Sequence, residues 1–542
     1  MQIMRDENGM SCRRDFLKRA TAGVMGMYGI SNLVPSSLLA QQGEQTRRKP
    51  NILLAVSDDQ SWPHASAYGF DQVRTPAFDR IAGNGVLFTN AFCTASQCGP
   101  SRATLLTGRN PWQLKEAGTQ ASLFPAEFTV YTEILEKQGY HVGYTGKPWA
   151  PGNWRASGRK NNPAGKPYNT RRLKPPTPEI SSNDYAANFE DFIKDCPKGA
   201  PFCFWFGCHE PHRNYEPGSG RRSGKKPQDV SVPPFYPDNE TVRSDLLDYY
   251  FEIEWFDRQL GKIVDLIERA GELDNTLIVV TSDNGMPFPR TKATLYEDGI
   301  RMPFAVQWPA RIPGSRSIDD LISFIDVAPT FLEAAGLEPR PEMAGRSLLP
   351  ILVSNRSGTL DPERRFVLMG KERHNHARAE NVGYPIRAIR TKQYLYLRNF
   401  KPQRWPMGDP PGYFCHTKMI NPTKSHILEH KDDSARYHYR ITYAKRSEEE
   451  LYDIQKDPHC LNNLADHSEF TKTKNQLWRL LRDRLAEQRD PRMLGYGDIF
   501  ESYPVFGGIQ KTIPGFKDIG KYNPAFWPWD RGSLPILEMN RD

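Results

Sequence analysis

Two short runs of acids and one cysteine-centred stretch carry most of the chemistry this sequence offers. Asp58 and Asp59 follow the apolar run PNILLAVS, and Asp283 and Asn284 follow NTLIVVTS. Three carboxylates brought to one place repel one another, and a bound divalent cation removes that cost. Carboxylate and amide oxygens are hard donors, which select calcium or magnesium over zinc or copper. The third stretch is CGPSRATLLTGR, Cys98 to Arg109. Pro100 suits the first turn of a helix. The stretch therefore predicts Cys98 at a helix N-terminus, with Arg102 one turn on and facing the same side. That position favours anions and lowers a thiol pKa. A plain cysteine nucleophile would be one solution, but a soft thiolate is poorly matched to a hard metal.

These residues need a scaffold. PNILLAVS is a buried strand by its continuous apolar character. HVGYTGK is a strand ending near Lys147, and APFCFWFGCHEPH a buried strand ending at His209. VLFTNAF and RMPFAVQWP are further strands, while TPAFDRIAGNG, YTEILEKQGY and NDYAANFEDFIKD are helices. Between Val242 and Ala270, Leu246, Tyr249, Ile253, Phe256, Leu260, Ile263 and Ile267 recur at helical spacing. Alternating strands and helices predict an α/β fold around a mostly parallel sheet. In such sheets ligands collect at the carboxyl ends of strands. Asp58, Asp59, Lys147, His209, Asp283 and Asn284 all follow apolar strands, so the pattern alone gathers them.

After about Leu360 the texture changes to short strands (RFVLMG, YPIRAIRT, QYLYLRNF) and an amphipathic helix, TKNQLWRLLRDRLAEQ. The expected division is a leader over 1–40, a catalytic domain over 41–360 and a smaller C-terminal α+β domain with an antiparallel sheet over 361–495. The tail over 496–542, rich in Gly, Pro and aromatics, reads as an irregular surface wrap.

The pattern C-x-P-S-R followed by T-G-R, with LLAVSDDQ before it and TSDNG after it, resembles the type I sulfatase signature. KATLYEDGIRMPF and ELYDIQKDPHCLNNLA are also similar to that family, and the resemblance spans about Pro50 to Gln488. It implies an alkaline-phosphatase-like sheet and a formylglycine made from Cys98 by a maturation enzyme. The hydrated aldehyde would supply an oxygen nucleophile suited to a hard metal. The same resemblance makes Asp58, Asp59, Asp283 and Asn284, together with the converted Cys98, ligands of calcium, with magnesium as the alternative. It makes Arg102, Lys147 and Lys292 the cations that hold the hydrate and the sulfate, and His209 the donor to the leaving atom. One position departs from the pattern: Trp149 stands where many members carry a histidine thought to help break down the covalent intermediate. Another group, such as a metal-ligand aspartate, would then serve, or the step is slow. HEPHRNYE, VPPFYPDNETVRSDL, GRSLLPIL and GYPIRAIRTKQYLYLRNF look like the heparan N-sulfatase branch. In that branch His374, His376 and Arg387 would reach the substrate, a sulfated glycan.

The remaining features bound the setting. The chain has 542 residues, 38% hydrophobic, with a net charge of +8, enough to fill a core. Arg13 and Arg14 precede a weakly apolar stretch too short and glycine-rich for a membrane span. Such twin arginines read as a Tat export signal, placing the protein in the periplasm or outside the cell. No C-x-x-C pair occurs among the eight cysteines, so no zinc site is signalled. Between Pro151 and Thr177 there are basic residues and no acid, and RRSGKK at Arg221 to Lys226 is a second basic cluster. Such loops could steer a polyanionic glycan. No nucleic-acid motif accompanies them. Alternatives within reach of the same residues are an O-sulfatase, a phosphate or phosphonate ester hydrolase, and an inactive glycan-binding protein.

Overall fold

The apolar run after Pro50 becomes the central strand of a large mixed sheet. A computed structural model describes residues 48–374, 377–378, 382–409, 411 and 421–506. The strands are β1 (Asn51–Ser57), β2 (Val86–Phe92), β3 (His141–Gly146), β4 (Lys166–Pro167), β5 (Phe202–Gly207), β6 (Thr276–Ser282), β7 (Arg301–Gln307), β8 (Arg316–Ile318) and β9 (Ile322–Ser323). Their order is β4-β3-β5-β1-β6-β7-β2-β8, with β9 beside β2. Strands β3, β5, β1 and β6 are parallel neighbours. Strand β7 runs antiparallel to both β6 and β2.

Burial on both faces explains why β1 is apolar throughout. Ile52, Leu54 and Val56 pack into one core with Leu105 and Leu106. Leu53 and Ala55 pack into the other with Phe78, Phe189, Phe192, Phe256 and Leu260. Helices α1 (Pro76–Gly83), α2 (Cys98–Thr107), α3 (Tyr185–Asp195) and α4 (Glu240–Arg269) supply those side chains. The predicted 242–270 helix is α4; its N-cap Asn239 accepts from Val242 N at 3.1 Å. The architecture is thus a three-layer α/β sandwich.

A second sheet lies C-terminally: β10 (Phe366–Lys371), β11 (Ile386–Thr391), β12 (Tyr394–Asn399) and β13 (Glu449–Asp453), antiparallel in that order. Helix α5 (Thr471–Glu487) sets Leu477, Leu481 and Leu485, four residues apart, against Ile389, Tyr396 and Leu451. A buried bidentate pair joins the sheets: Arg390 on β11 meets Glu297 at 2.8 and 2.9 Å. Glu297 belongs to the YEDGIRMPF run before β7. The described residues from Lys49 onward form one compact unit.

In the described part of the tail, Gly497–Glu501 forms a short helical turn, with Phe500 and Tyr503 buried. The predicted leader, His376 and the tail beyond residue 506 lie outside the described residues. Among the described residues no helix is long and apolar enough to cross a membrane. Cys93, Cys98, Cys196, Cys203, Cys208 and Cys460 are all free thiols.

His64 is a pH-sensitive part of this core. It is buried against Phe70, Tyr249 and Tyr250, with Nδ1 at 3.1 Å from the Tyr249 hydroxyl. Burial pushes its pKa down from 6.5 to about 3. The unfolded chain protonates here first, so this contribution to stability is full above pH 6.5 and is lost as pH falls towards about 3. The limiting slope is about 1.4 kcal/mol per pH unit. His64→Phe is expected to flatten the acid side of the stability profile measured by urea unfolding; an unchanged slope would refute this assignment.

Candidate active site

Four adjacent parallel strands deliver the predicted residues to one edge. Lys147 follows β3, His209 lies two residues beyond β5, Asp58 and Asp59 follow β1, and Asp283 and Asn284 follow β6. Near-contact of β3 and β5 fixes the first two. A Cβ on Gly207 would come within 1.8 Å of Lys147 O, so the backbones meet where a side chain has no room. Asp59 has φ 75°, a left-handed conformation uncommon for non-glycine residues. It breaks the alternation of the strand, so Asp58 and Asp59 both serve the same site.

Helix α2 begins at Cys98, as the sequence predicts, and all ten of its residues are buried. Cys98 Sγ lies 3.5 Å from Asp58 Oδ1 and 3.8 Å from Asp59 Oδ1. Potential ligand atoms of Asp58, Asp59, Cys98 and Asp283 all fall within 4.8 Å of one another. Each carboxylate faces a cation: Lys147 Nζ at 2.5 Å from Asp58, Lys292 Nζ at 2.5 Å from Asp59, and Arg102 Nε at 2.7 Å from Asp283. Arg102 Nη1 also donates to the Lys147 carbonyl at 2.7 Å, tying α2 to the end of β3. Ser101 Oγ donates to Asp283 O at 2.5 Å. The Lys292 loop is stitched to the same corner by Ala293 N donating to Ser96 O at 2.8 Å.

The charges are strongly biased. Burial alone would raise Asp58, but Lys147, His212, Arg102 and Lys292 together hold it well below the usual carboxylate range. Burial, with repulsion from Asp58 and Asp283, pushes Asp59 up to about 7 despite Lys292. Burial also raises Asp283 against the pull of Arg102. These are the strains expected of a cation-binding cluster. Two buried polar atoms here lack a hydrogen-bond partner, Asn284 Oδ1 and Arg102 Nη2. The first is an oxygen suited to a hard cation, and with the three carboxylates it completes a fitting donor set.

The cysteine departs from expectation. A helix N-terminus predicts a lowered thiol pKa. Burial raises the Cys98 thiol well above its ordinary value, and Lys147 and Lys292 do not compensate. Desolvation outweighs the helix end, so the residue is a protonated thiol and a poor nucleophile as it stands. His209 sits at the rim, where its edge meets solvent while surrounding atoms crowd it. That crowding lowers its pKa, and Glu210 and Asp58 oppose the shift.

Other predicted residues lie further back. His374 is buried and follows Arg373, whose carbonyl accepts from Gln97 Nε2 at 2.9 Å, next to Cys98. Arg387 is not brought into the cluster. Its guanidinium is held between Asp490 and Glu372, each at 2.7 Å, and packs beside Trp112. Two residues near the cluster carried no role in the sequence reading. His212 Nε2 lies 3.7 Å from Asp59, and its signal was the second histidine of HEPH. Gln120 Oε1 accepts from Gly99 N at 2.9 Å; nothing in the sequence marked it.

Sheet order and site together define an α/β protein with a buried oxygen-donor cluster able to hold a divalent cation. The sulfatase family model matches residues 50–337, and the model for the N-sulphoglucosamine sulphohydrolase C-terminal region matches 290–410. The chain belongs to the sulfatase family. It is 30% identical over 459 residues to an ulvan-active sulfatase of Formosa agariphila, covering 82% of this chain and 81% of the relative. It is 27% identical over 512 residues to human N-sulphoglucosamine sulphohydrolase, covering 84% and 93%. The fold is shared with a solved structure in complex with its substrate D-glucosamine-2-N,6-O-disulfate, at TM-score 0.60 and 20% identity, covering 82% of this chain and 99% of that one. It is also shared with the phosphonate monoester hydrolase of Agrobacterium radiobacter, at TM-score 0.58 and 18% identity, covering 82% and 97%.

Trp149, the departure from the family pattern, is a packing residue with a polar tip. It is fully buried, its ring meets Phe124 edge-on at 5.1 Å, and its Nε1–H donates to Gly99 O at 3.1 Å. Trp149 and Gln120 thus grip both sides of the residue after Cys98. Trp149→Phe, which removes the N–H together with the five-membered half of the indole at this buried site, is expected to cost about 2–3 kcal/mol. Trp149→Ala, which opens a cavity, is expected to cost about 3–5 kcal/mol. Urea unfolding checks both; equal losses would mean that the six-membered ring phenylalanine keeps contributes nothing.

Proposed function

We propose that the protein is an exported, calcium-dependent sulfatase whose nucleophile is a formylglycine formed from Cys98, and that it removes sulfate from N-sulfated glucosamine units of a glycan. The observation that carries this reading is the Cys98 thiol, protonated by burial yet within 3.8 Å of two carboxylates of a hard-donor cluster. An unmodified thiol has no evident use there. When present, the oxidised side chain supplies an oxygen nucleophile and the cation polarises the sulfate.

In this reading Asp58, Asp59, Asp283 and Asn284 hold calcium, magnesium being the alternative hard ion. Lys147 and Lys292, now paired with Asp58 and Asp59, orient the anionic group. Arg102 is pinned by Asp283 and the Lys147 carbonyl, and its Nη2, which has no hydrogen-bond partner and lies 3.8 Å from Asp58 Oδ1, is left as a donor for the sulfate. His209, at the rim, delivers the proton to the leaving nitrogen; a bound anion beside it opposes the crowding that lowers its pKa. The twin-arginine leader supports export through the Tat machinery to the periplasm or beyond.

The N-sulfate specificity is supported by the C-terminal family match over 290–410 and by the human sulphohydrolase relative. A second reading, an O-sulfatase on another polysaccharide, is favoured by the ulvan-active relative at 30% identity. Sulfate release from matched N- and O-sulfated sugars separates them: the first reading expects free amine from N-sulfoglucosamine, and turnover of O-sulfated sugars alone would reject it. Protein matured with the converting enzyme is expected to show a Cys98 peptide about 18 Da lighter than the thiol form. Cys98→Ala is expected to lose turnover while its melting profile stays near wild type. Full activity with an intact thiol would overturn the proposed nucleophile.

A further inference from the structure

The acid-free stretch beyond Pro151 splits into two kinds of residue. Arg159 is structural, buried and bonded to Glu133 at 2.5 Å. Lys166 pairs with Asp195 at 3.5 Å. The loop over 170–182 is different. It carries Arg171, Arg172 and Lys174, all exposed, against one acid, Glu179. Arg171 meets Asp191 at 3.4 Å, but that pair is solvent-exposed and screened. Pro175, Pro176 and Pro178 restrict the far side of the loop.

Both feet of this loop stand on the proposed sulfate pocket. At the first, Asn169 Oδ1 accepts from Gly146 N at 2.7 Å, immediately before Lys147. The buried Asn183 donates to Thr145 Oγ1 at 3.1 Å and to Asn169 Oδ1 at 3.2 Å. Asn188, also buried, clasps the backbone of Arg171 on both sides, at 3.0 and 3.1 Å. Leu173 N donates to Ser182 O at 2.8 Å and closes the neck. At the second foot, Ser181 N donates to Glu210 Oε1 at 2.7 Å, immediately after His209. Tyr185 joins the same knot: its hydroxyl donates to Glu210 Oε2 at 2.9 Å and accepts from His209 N at 3.1 Å.

Buried asparagines thus hold a basic, proline-stiffened loop at the rim between Lys147 and His209. We infer that this loop is an arm that grips the anionic glycan beyond the unit being desulfated, so that the enzyme prefers sulfated chains to single sugars. A sulfated polysaccharide presents repeated charge along its length, which matches cations outside the pocket as well as inside it. The inference rests on the sulfatase reading above and extends it to substrate length.

The test uses the full chain carrying Arg171→Gln, Arg172→Gln and Lys174→Gln together, glutamine keeping an amide donor for the Arg172 contact with Asn183. kcat/KM is measured on a sulfated hexasaccharide and on the matching sulfated monosaccharide, at low and high salt. The hexasaccharide value is expected to fall about tenfold and to lose most of its salt dependence. The monosaccharide value is expected to hold within about twofold. Equal losses on both, or no loss on the hexasaccharide, would overturn the arm. Equilibrium binding of a fluorescent hexasaccharide gives a readout without turnover: weaker binding by the variant supports the arm even if no sulfate is released, and unchanged binding refutes it. Wild-type binding of an oligonucleotide of equal charge as tightly as the hexasaccharide would refute the glycan assignment.

Discussion

Three buried carboxylates at the end of one sheet, each answered by its own cation, are the constraint around which this protein is arranged. Alone, Asp58, Asp59 and Asp283 would force one another to take up protons. With Lys147, Lys292 and Arg102 at 2.5–2.7 Å the cluster is tolerated, though unevenly: Asp58 is held down and Asp59 driven up. The cations arrive from three directions, from the end of β3, from the loop after β6 and from α2. The sheet order places their anchors side by side. The charge pattern and the topology are therefore one problem, and together they build a buried oxygen-donor cluster that could hold a metal ion.

Much of that arrangement was legible in the sequence because continuous apolar runs ended in polar residues. β1, β3, β5 and β6 each announce themselves by composition, and the carboxyl-end rule for α/β sheets then gathers Asp58, Lys147, His209 and Asp283. The helix at Cys98 was legible from Pro100. What failed was local electrostatics. Helix position favours a thiolate, but the sequence does not reveal that every residue of α2 is buried, and desolvation reverses the sign. Gln120 was invisible for a related reason: an exposed-looking amide in a loop has no periodicity to mark it, and only the tertiary fold puts it on Gly99 N. β13 is not legible as a strand because EELYD is short and mixed, and among the described residues it pairs with β12 from far upstream.

Residues behind the cluster show how the C-terminal sheet braces the site. Arg390 ties β11 to Glu297, and Arg387 braces Glu372 and Asp490. The end of β10 then runs past Gln97, the residue before Cys98. The family resemblance places Arg387 at the substrate. With two carboxylates on one guanidinium, its donors serve the fold around the pocket. Trp149 has a comparable part, filling space while its Nε1–H donates to Gly99 O.

The depth of Cys98 has a consequence for timing. Its side chain is 1% exposed, closed in by a helix that has no solvent face. A catalyst that converts this thiol cannot reach it once the sandwich has closed. If the thiol is converted as proposed, conversion must precede closure, and a molecule that folds first keeps its sulfur.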